Sequence, residues 1–326
     1  MPNDILVIVE YKDGGVRKVS LELLSRAKEM TSESSSTLYA GIIGYDVKGI
    51  VETVQAFADK VISVDSAVLK DYRWDTYVSA AEQLVRKFNP SMIFGGSTVT
   101  GKDLFPRLAA RLKTAIISDA VGIEWDNGGP RIRKPLYGGK IISWLTCKEG
   151  VVPVITFRPN SFAITNRSLN GEVIEESLEI VPDSRFSTLN IERGGMQKVD
   201  LQESDFIICG GRGMKGPENF QILEEIADIM KGRVAASRAV VDSKWRDYDD
   251  QVGKSGKTVS PKVYVGCGVS GALHHTMGMD TSKVIVAVNS DPNAPIFSYA
   301  DYGVVGDLFE ILPVLRDELI KAKKEI

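Results

Sequence analysis

The chain is poor in the residues that usually announce chemistry. Among 326 residues there are two histidines and three cysteines. The cysteines, Cys147, Cys209 and Cys267, are odd in number and far apart. That suits a reducing compartment and excludes an iron–sulfur cluster or a zinc site built from this chain alone. No apolar run approaches the ~18 residues that a membrane span needs. Neither sign of charge dominates: 40 basic against 43 acidic side chains leave a net charge of −3, no footprint for nucleic acid or for an anionic membrane surface. There is no Gly-x-Ser-x-Gly elbow, so a serine hydrolase is unsupported. The opening MPNDILVIVEYKD reads as a first strand and not as a signal or transit peptide, and a cytoplasmic location is expected.

What is present is ordinary globular composition, 43% hydrophobic and 25% charged, with a length that suits two domains. In the first half, apolar strands (DILVIVE, TLYAGIIG, KVISVD, SMIFGGS) alternate with helical patterns near 20–30, 46–58, 74–88 and 102–113. Such alternation predicts a parallel sheet covered on both faces. After Lys113 the pattern turns β-rich, and IISDAVGIEW, KIISWLT, VVPVITF and SLEIVP are expected to extend that sheet. The polar segment 189–204 is the expected linker, with a boundary near 194 that gives domains 1–193 and 194–326. The alternation then restarts with strands FIICG, RVAAS, KVYVG, VIVAV and a short YGVVG. Helices are expected near 217–230, 271–277 and 308–323, the last with Leu308, Ile311, Leu312, Leu315 and Leu319 on one face.

Two glycine turns stand out in the second half. Gly211-x-Gly213-x-x-Gly216 follows FIICG, and Gly266-x-Gly268-x-x-Gly271 follows KVYVG. This spacing brings backbone N–H groups against a pyrophosphate, although tight strand-to-helix turns also need glycine for geometry alone. Arg212 adds a cation to the first turn. A plain NAD site would place an acidic residue after the next strand, where Ser237-Arg238 stands instead; a flavin or a 2′-phosphate suits that better. QVGKSGK (251–257) resembles the tail of a P-loop, but no glycine stands where the first glycine of G-x-x-x-x-G-K-[ST] would fall. It reads instead as a glycine-rich loop that lays Ser255 near a cofactor, or as a surface loop. Both histidines, His274 and His275, follow the second turn at a helix start. A charged imidazole is disfavoured there unless an anion is bound nearby.

In series, SDFIICGGRGMKGPENF, AASRAVVD, QVGKSGK, VSGALHH, IVAVNSDPNAPIF and ADYGVVGDLFEILP resemble the alpha subunit of electron transfer flavoprotein over essentially all of 195–326. The first half is similar more loosely, through GGSTVTGKDLFPRLAARL, KPLYGGK and VITFRPNSF. The resemblance implies two α/β domains, the second a Rossmann-like (DHS-like) FAD-binding domain and the first pairing with a separate beta subunit in a heterodimer. It implies an electron carrier, not an enzyme, that takes electrons from a flavin dehydrogenase such as an acyl-CoA dehydrogenase. Bifurcation in such a complex depends largely on the beta subunit's own contacts.

By position, the resemblance lays Arg212 along the flavin and its phosphates, Ser237 and Ser270 on the pyrophosphate, and Arg238 facing the isoalloxazine. Val252, Gly253, Lys254 and Ser255 would line the ring edge, and Gly271, Ala272, Leu273 and His274 would bring His275 to the flavin O2. Asn289, Asp307 and Leu308 would hold the adenosine end. A cation ~4 Å from reduced flavin, at an effective dielectric of ~20, is worth roughly 4 kcal/mol, on the order of 170 mV for one electron. Two departures stand out: His274 takes a place where glutamine is common in the family, and WRDYDD (245–250) replaces a stretch that commonly contains proline. The residues alone also admit an NADP-linked flavin oxidoreductase with Arg238 on the 2′-phosphate, or a subunit that binds adenine nucleotide without redox work.

Overall fold

The computed structural model describes residues 4–126, 129–137, 139–148, 150–165, 168–191 and 200–325. The chain divides into two compact units, Met1–Gly195 and Met196–Ile326. The boundary expected near 194 lies outside the described residues, as does Gly138 of the KPLYGGK stretch.

The first unit carries strands β1 (Ile5–Val9), β2 (Leu38–Gly44), β3 (Lys60–Asp65), β4 (Met92–Gly96), β5 (Ile116–Ala120), β6 (Gly122–Asp126), β7 (Gly129–Leu136), β8 (Ile141–Thr146), β9 (Val154–Phe157) and β10 (Glu172–Glu175). Its main helices are α1 (Lys18–Glu33), α2 (Lys48–Val54), α3 (Trp74–Phe88) and α4 (Val99–Leu112). Seven strands make a parallel sheet in the order β10-β3-β2-β1-β4-β9-β5. β1, with the sequence ILVIV, is buried along its whole length. Because strand side chains alternate, Ile5, Val7 and Val9 enter one apolar cluster while Leu6 and Ile8 enter the other. A continuous apolar run is what a strand covered by helices on both faces requires.

The β-rich stretch departs from expectation. IISDA and VITF join the parallel sheet, but β6, β7 and β8 pair antiparallel in a separate three-stranded sheet. Only Ile123, Ile132 and Leu145 of that small sheet turn into the first cluster. Its other face is open and mixed, with Trp144 under the Arg131 guanidinium. The SLEIVP stretch is not a strand; the sheet edge is formed just before it by EVIE, paired with β3.

The second unit is a five-stranded parallel sheet of β11 (Phe206–Gly210), β12 (Arg233–Ala236), β13 (Val263–Cys267), β14 (Val284–Asn289) and β15 (Tyr302–Val305). The spatial order is β12-β11-β13-β14-β15, the doubly wound arrangement found in flavodoxin-like folds. α5 (Gln221–Ile229), α6 (Arg238–Asp242), α7 (Leu273–Thr276) and α8 (Leu308–Glu325) complete it. α8 packs as its periodicity predicts: Leu308 and Leu312 are buried, and Ile311, Leu315 and Leu319 lie against the same cluster. No helix among the described residues is long and apolar enough to cross a membrane.

In the first unit the Phe105 ring covers Gly95, where a Cβ would come within 1.8 Å of Phe105 Cζ. Phe105 is fully buried in the cluster between β4 and α4. Phe105→Ala should therefore destabilise this unit by about 3–5 kcal/mol, read as a lower urea midpoint of its unfolding transition.

Candidate functional site

Each sheet has one place where the chain, having wound outward in one direction, returns to wind in the other. Ligands of open α/β sheets bind beyond the carboxyl ends of the strands at that reversal. In the first unit it falls between β1 and β4, and the chain's own side chains fill it. Thr98 Oγ1 donates to Glu10 Oε2 at 2.7 Å while also capping α4 by accepting from Gly101 N at 2.9 Å. Arg17 Nη1 lies 3.7 Å from the same carboxylate. An anionic ligand would meet a carboxylate there.

In the second unit the reversal falls between β11 and β13, and the two glycine turns leave those two strands. They pack backbone on backbone. Gly211 N donates to Cys267 O at 2.8 Å and Gly213 N to Gly268 O at 3.2 Å. A Cβ on Gly211 would stand 2.1 Å from Gly268 O, and one on Gly268, at φ +62°, would stand 2.7 Å from Gly213 Cα. Glycine is thus required here by close approach as well as by backbone conformation.

The other carboxyl ends bring most of the remaining expected residues to the same edge. Ser237 and Arg238 follow β12, Asn289 ends β14, and Asp307 and Leu308 follow β15. Arg212, Arg238, Lys254, Ser255, Ser270, Ala272, Leu273, His274 and Asp307 are exposed. Among the described residues Arg212 makes no ion pair, and no backbone hydrogen bond takes the N–H groups of Ser270, Gly271 or Ala272. An exposed guanidinium on one turn and N–H groups free of backbone hydrogen bonds on the other suit a pyrophosphate. Arg238 is held only by a mostly exposed pair with Asp242, at 3.3 Å.

Three expected residues are occupied in other ways. Asn289 Nδ2 donates to Val269 O at 3.0 Å and its Oδ1 accepts from Asp291 N at 3.0 Å, so this side chain fastens the second glycine turn. Leu308 is buried beneath Gly268 and serves packing. Val252 is buried and its N–H bonds Ala236 O. From there the 252–257 loop is braced, with Lys254 N donating to His274 O at 2.7 Å and Gln251 Nε2 to Ser255 Oγ at 3.0 Å.

The WRDYDD stretch supplies part of that brace. Arg246 pairs with Asp250 at 2.8 Å and Glu224 at 2.6 Å, Arg233 reaches Asp250 at 3.2 Å, and the Tyr248 hydroxyl donates to Ser255 O at 2.6 Å. The sequence marks this stretch only as a departure at a docking or ring-edge surface, since nothing in its spacing distinguishes a brace from a solvated charge run.

His275 corrects the expectation most. It is buried, and burial, opposed only by the Val252 backbone, lowers its pKa from 6.5 to about 4. The ring is therefore a neutral imidazole at neutral pH, not a cation beside a flavin. Nε2 lies 2.7 Å from the Tyr264 hydroxyl, while Nδ1 is buried with no hydrogen-bond partner of full geometry. Tyr264 escaped the sequence reading because it sits inside an apolar strand; its signal is one polar ring tip in a buried run.

Two outcomes follow. Gly268→Ala should lower the thermal midpoint far more than Gly14→Ala, because Gly14 also has a positive φ but no atom within 4 Å of a Cβ. For His275, the unfolded chain binds the proton near 6.5 and the folded chain only near 4. Stability should therefore be full above about pH 6.5 and fall as the pH drops toward 4. Denaturation at pH 7 and pH 5 should show that loss in the wild type and a smaller one in His275→Gln.

Comparison with known proteins supplies the family context. Residues 5–180 match the electron transfer flavoprotein domain, and residues 200–280 match the electron transfer flavoprotein FAD-binding domain. The chain is 39% identical to the electron transfer flavoprotein subunit alpha of Thermoanaerobacterium thermosaccharolyticum, over 98% of each chain. It is 37% identical to the subunit alpha of Bacillus subtilis, again over 98% of each. It is 32% identical to the acryloyl-CoA reductase electron transfer subunit beta of Anaerotignum propionicum, over 98% of this chain and 96% of that one.

Proposed function

This chain belongs to the electron transfer flavoprotein alpha-subunit family and is an FAD-binding electron carrier, not an enzyme; from that premise we propose how its second unit seats the cofactor. FAD lies across the carboxyl ends of the five-stranded sheet, with its pyrophosphate on the paired glycine turns. The observation that carries this reading is the convergence at one reversal point of two interlocked glycine turns, an exposed Arg212 and the unsatisfied N–H groups of Ser270 to Ala272.

Bound FAD supplies one-electron redox chemistry. The chain's residues bind, orient and shield. Arg212 and the Ser237 and Ser270 hydroxyls hold the phosphates. Arg238 gives up its weak exposed pair with Asp242 and faces the ring. The braced loop from Val252 to Ser255, with Gly253 and Lys254 at its turn, lines the ring edge. Gly271 to His275 closes the opposite side, and Asn289 and the Asp307-Leu308 backbone border the adenosine end.

We assign residues 194–326 to this cofactor unit and 1–193 to pairing with an electron transfer flavoprotein beta subunit in a heterodimer. The filled reversal point of the first unit supports this division of labour, because Glu10 already occupies the place an anionic ligand would take. A cytoplasmic location suits a chain with three unpaired cysteines. The electron donor is a flavin dehydrogenase, and the relative named for acryloyl-CoA reductase supports an acyl-CoA substrate for it.

Co-expressed with its beta partner, the chain should elute as a yellow heterodimer. The Arg212→Ala/Ser270→Ala double variant should lose FAD on gel filtration, since each charge-assisted bond contributes about 1.5–3 kcal/mol. Full FAD occupancy in that variant would overturn the phosphate assignment.

A further inference from the structure

The 252–257 loop is fastened unevenly. On one flank it is joined to the segment behind the second glycine turn by backbone alone: Lys254 N donates to His274 O at 2.7 Å and Val259 N to Gly278 O at 2.8 Å. A Cβ on Gly278 would stand 2.5 Å from Gly253 Cα, so the two segments touch there with no side chain between them. Across its base the loop closes on itself, with Lys257 N on Gln251 O at 2.7 Å and Gly256 N on Gly253 O at 3.0 Å. Ser255, at the tip, is held differently. Among the described residues no backbone N–H donates to its carbonyl. The donor there is the Tyr248 hydroxyl at 2.6 Å, while Gln251 Nε2 donates to the Ser255 Oγ at 3.0 Å.

Both of these donors come from one short turn. Tyr248–Asp250 forms a single 3-10 turn that runs into Gln251, whose N–H bonds Tyr248 O at 3.0 Å. Asp250 is buried, and its carboxylate takes Arg246 at 2.8 Å and Arg233 at 3.2 Å. Glu224, on α5, holds Arg246 from its other side at 2.6 Å. Breaking a buried pair of this kind is costly, whereas an exposed pair contributes little. The turn is therefore a fixed base. The Tyr248 side chain that rises from it is 65% exposed, so its ring adds little to any core. What it supplies is a hydroxyl at the end of a stiff ring with only two rotatable angles, which costs little entropy to hold in place.

We propose that Tyr248 is a positioning residue of the flavin site: its hydroxyl latches the Ser255 carbonyl and so fixes the tip of the loop that lines the ring edge. This rests on the FAD reading above. Tyr248 acts through Ser255 and touches no ligand itself. Without the latch the tip is held only through Gln251, and the exposed Lys254 and Ser255 side chains range more widely. The potential of a flavin depends on the polar groups a protein sets at its ring. A loosened tip weakens that setting and leaves the phosphate contacts on the glycine turns as they were.

The exposed hydroxyl can be removed without disturbing the fold. In the full-length ligand-free chain, Tyr248→Phe should leave the thermal midpoint nearly unchanged. Amide hydrogen exchange at Gly256 and Lys257 should nevertheless quicken about fivefold to tenfold, the worth of one hydrogen bond, while Ile208 in β11 exchanges as before. Tyr248→Ala should quicken the same amides to the same extent, because the hydroxyl and not the ring is the latch. In the flavin-loaded heterodimer, Tyr248→Phe should keep its FAD yet lower the preference for reduced over oxidised flavin about threefold, read by spectroelectrochemical titration.

Exchange at Gly256 and Lys257 as slow in Tyr248→Phe as in the wild type would overturn the latch. So would quickening in Tyr248→Ala that Tyr248→Phe does not share, since ring packing would then be its cause. An unchanged potential in FAD-loaded Tyr248→Phe would overturn the positioning role. Absence of FAD from the wild type would instead sink the flavin reading, and the exchange measurement, which needs no flavin, would still judge the bond between Tyr248 and Ser255.

Discussion

The second unit depends on two stretches of backbone touching where side chains would normally keep them apart. Gly211 and Gly213 meet Gly268 across the ends of adjacent strands, with hydrogen bonds of 2.8 and 3.2 Å through the contact. Because no Cβ intervenes, the two turns act as one rigid ledge at the reversal of the sheet. Leu308 supports that ledge from below and Asn289 fastens its outer lip. On the far side the second turn is held by Ile296 N, which donates to Ser270 O at 3.1 Å, and by His275 N, which donates to Ala272 O at 2.8 Å. A preorganised ledge matters more than any single donor, because ordering a loop on binding subtracts from affinity.

The two units show that a similar architecture can be open or closed at the same topological point. Both sheets are parallel and doubly wound, and both have a reversal at which a crevice should form. In the first, a carboxylate from the end of β1 occupies it, bonded to Thr98 and near Arg17. In the second, the corresponding strand ends carry glycine, and cations face solvent. The same topological point thus carries a bonded carboxylate in one unit and bare glycine turns in the other.

Much of this was legible in sequence because strand and helix periods are strong signals, and α3, expected over 74–88, runs from Trp74 to Phe88. The glycine turns, Ser237-Arg238 and the apolar stripe of α8 fell on the same edge or face as expected. The β-rich middle was less legible. Strands of either direction share the same two-residue alternation, so SLEIVP and EVIE compete equally, and the separate sheet of β6 to β8 cannot be told from an extension of the main one. His275 misled for a different reason. Helix position argues about a charged ring, but burial decides whether the ring is charged, and burial comes from Tyr264 and the 252–257 loop, which are not its sequence neighbours.

With His275 neutral, the electrostatics of the site divide between two kinds of group. Arg246 is committed to Asp250 and Glu224 within the brace and is not available to a ligand. Arg212 and Arg238 are exposed, and the pair Arg238 makes with Asp242 has both partners largely in solvent. Such pairs are worth about 0–1 kcal/mol, so Arg238 can be redirected at little cost once an anion arrives. Exposed cations supply attraction that salt weakens. Salt barely touches a buried neutral ring such as His275. Arg212 and Arg238 therefore supply the salt-sensitive part of the site's attraction for a charged cofactor, and neutral His275 adds none of it.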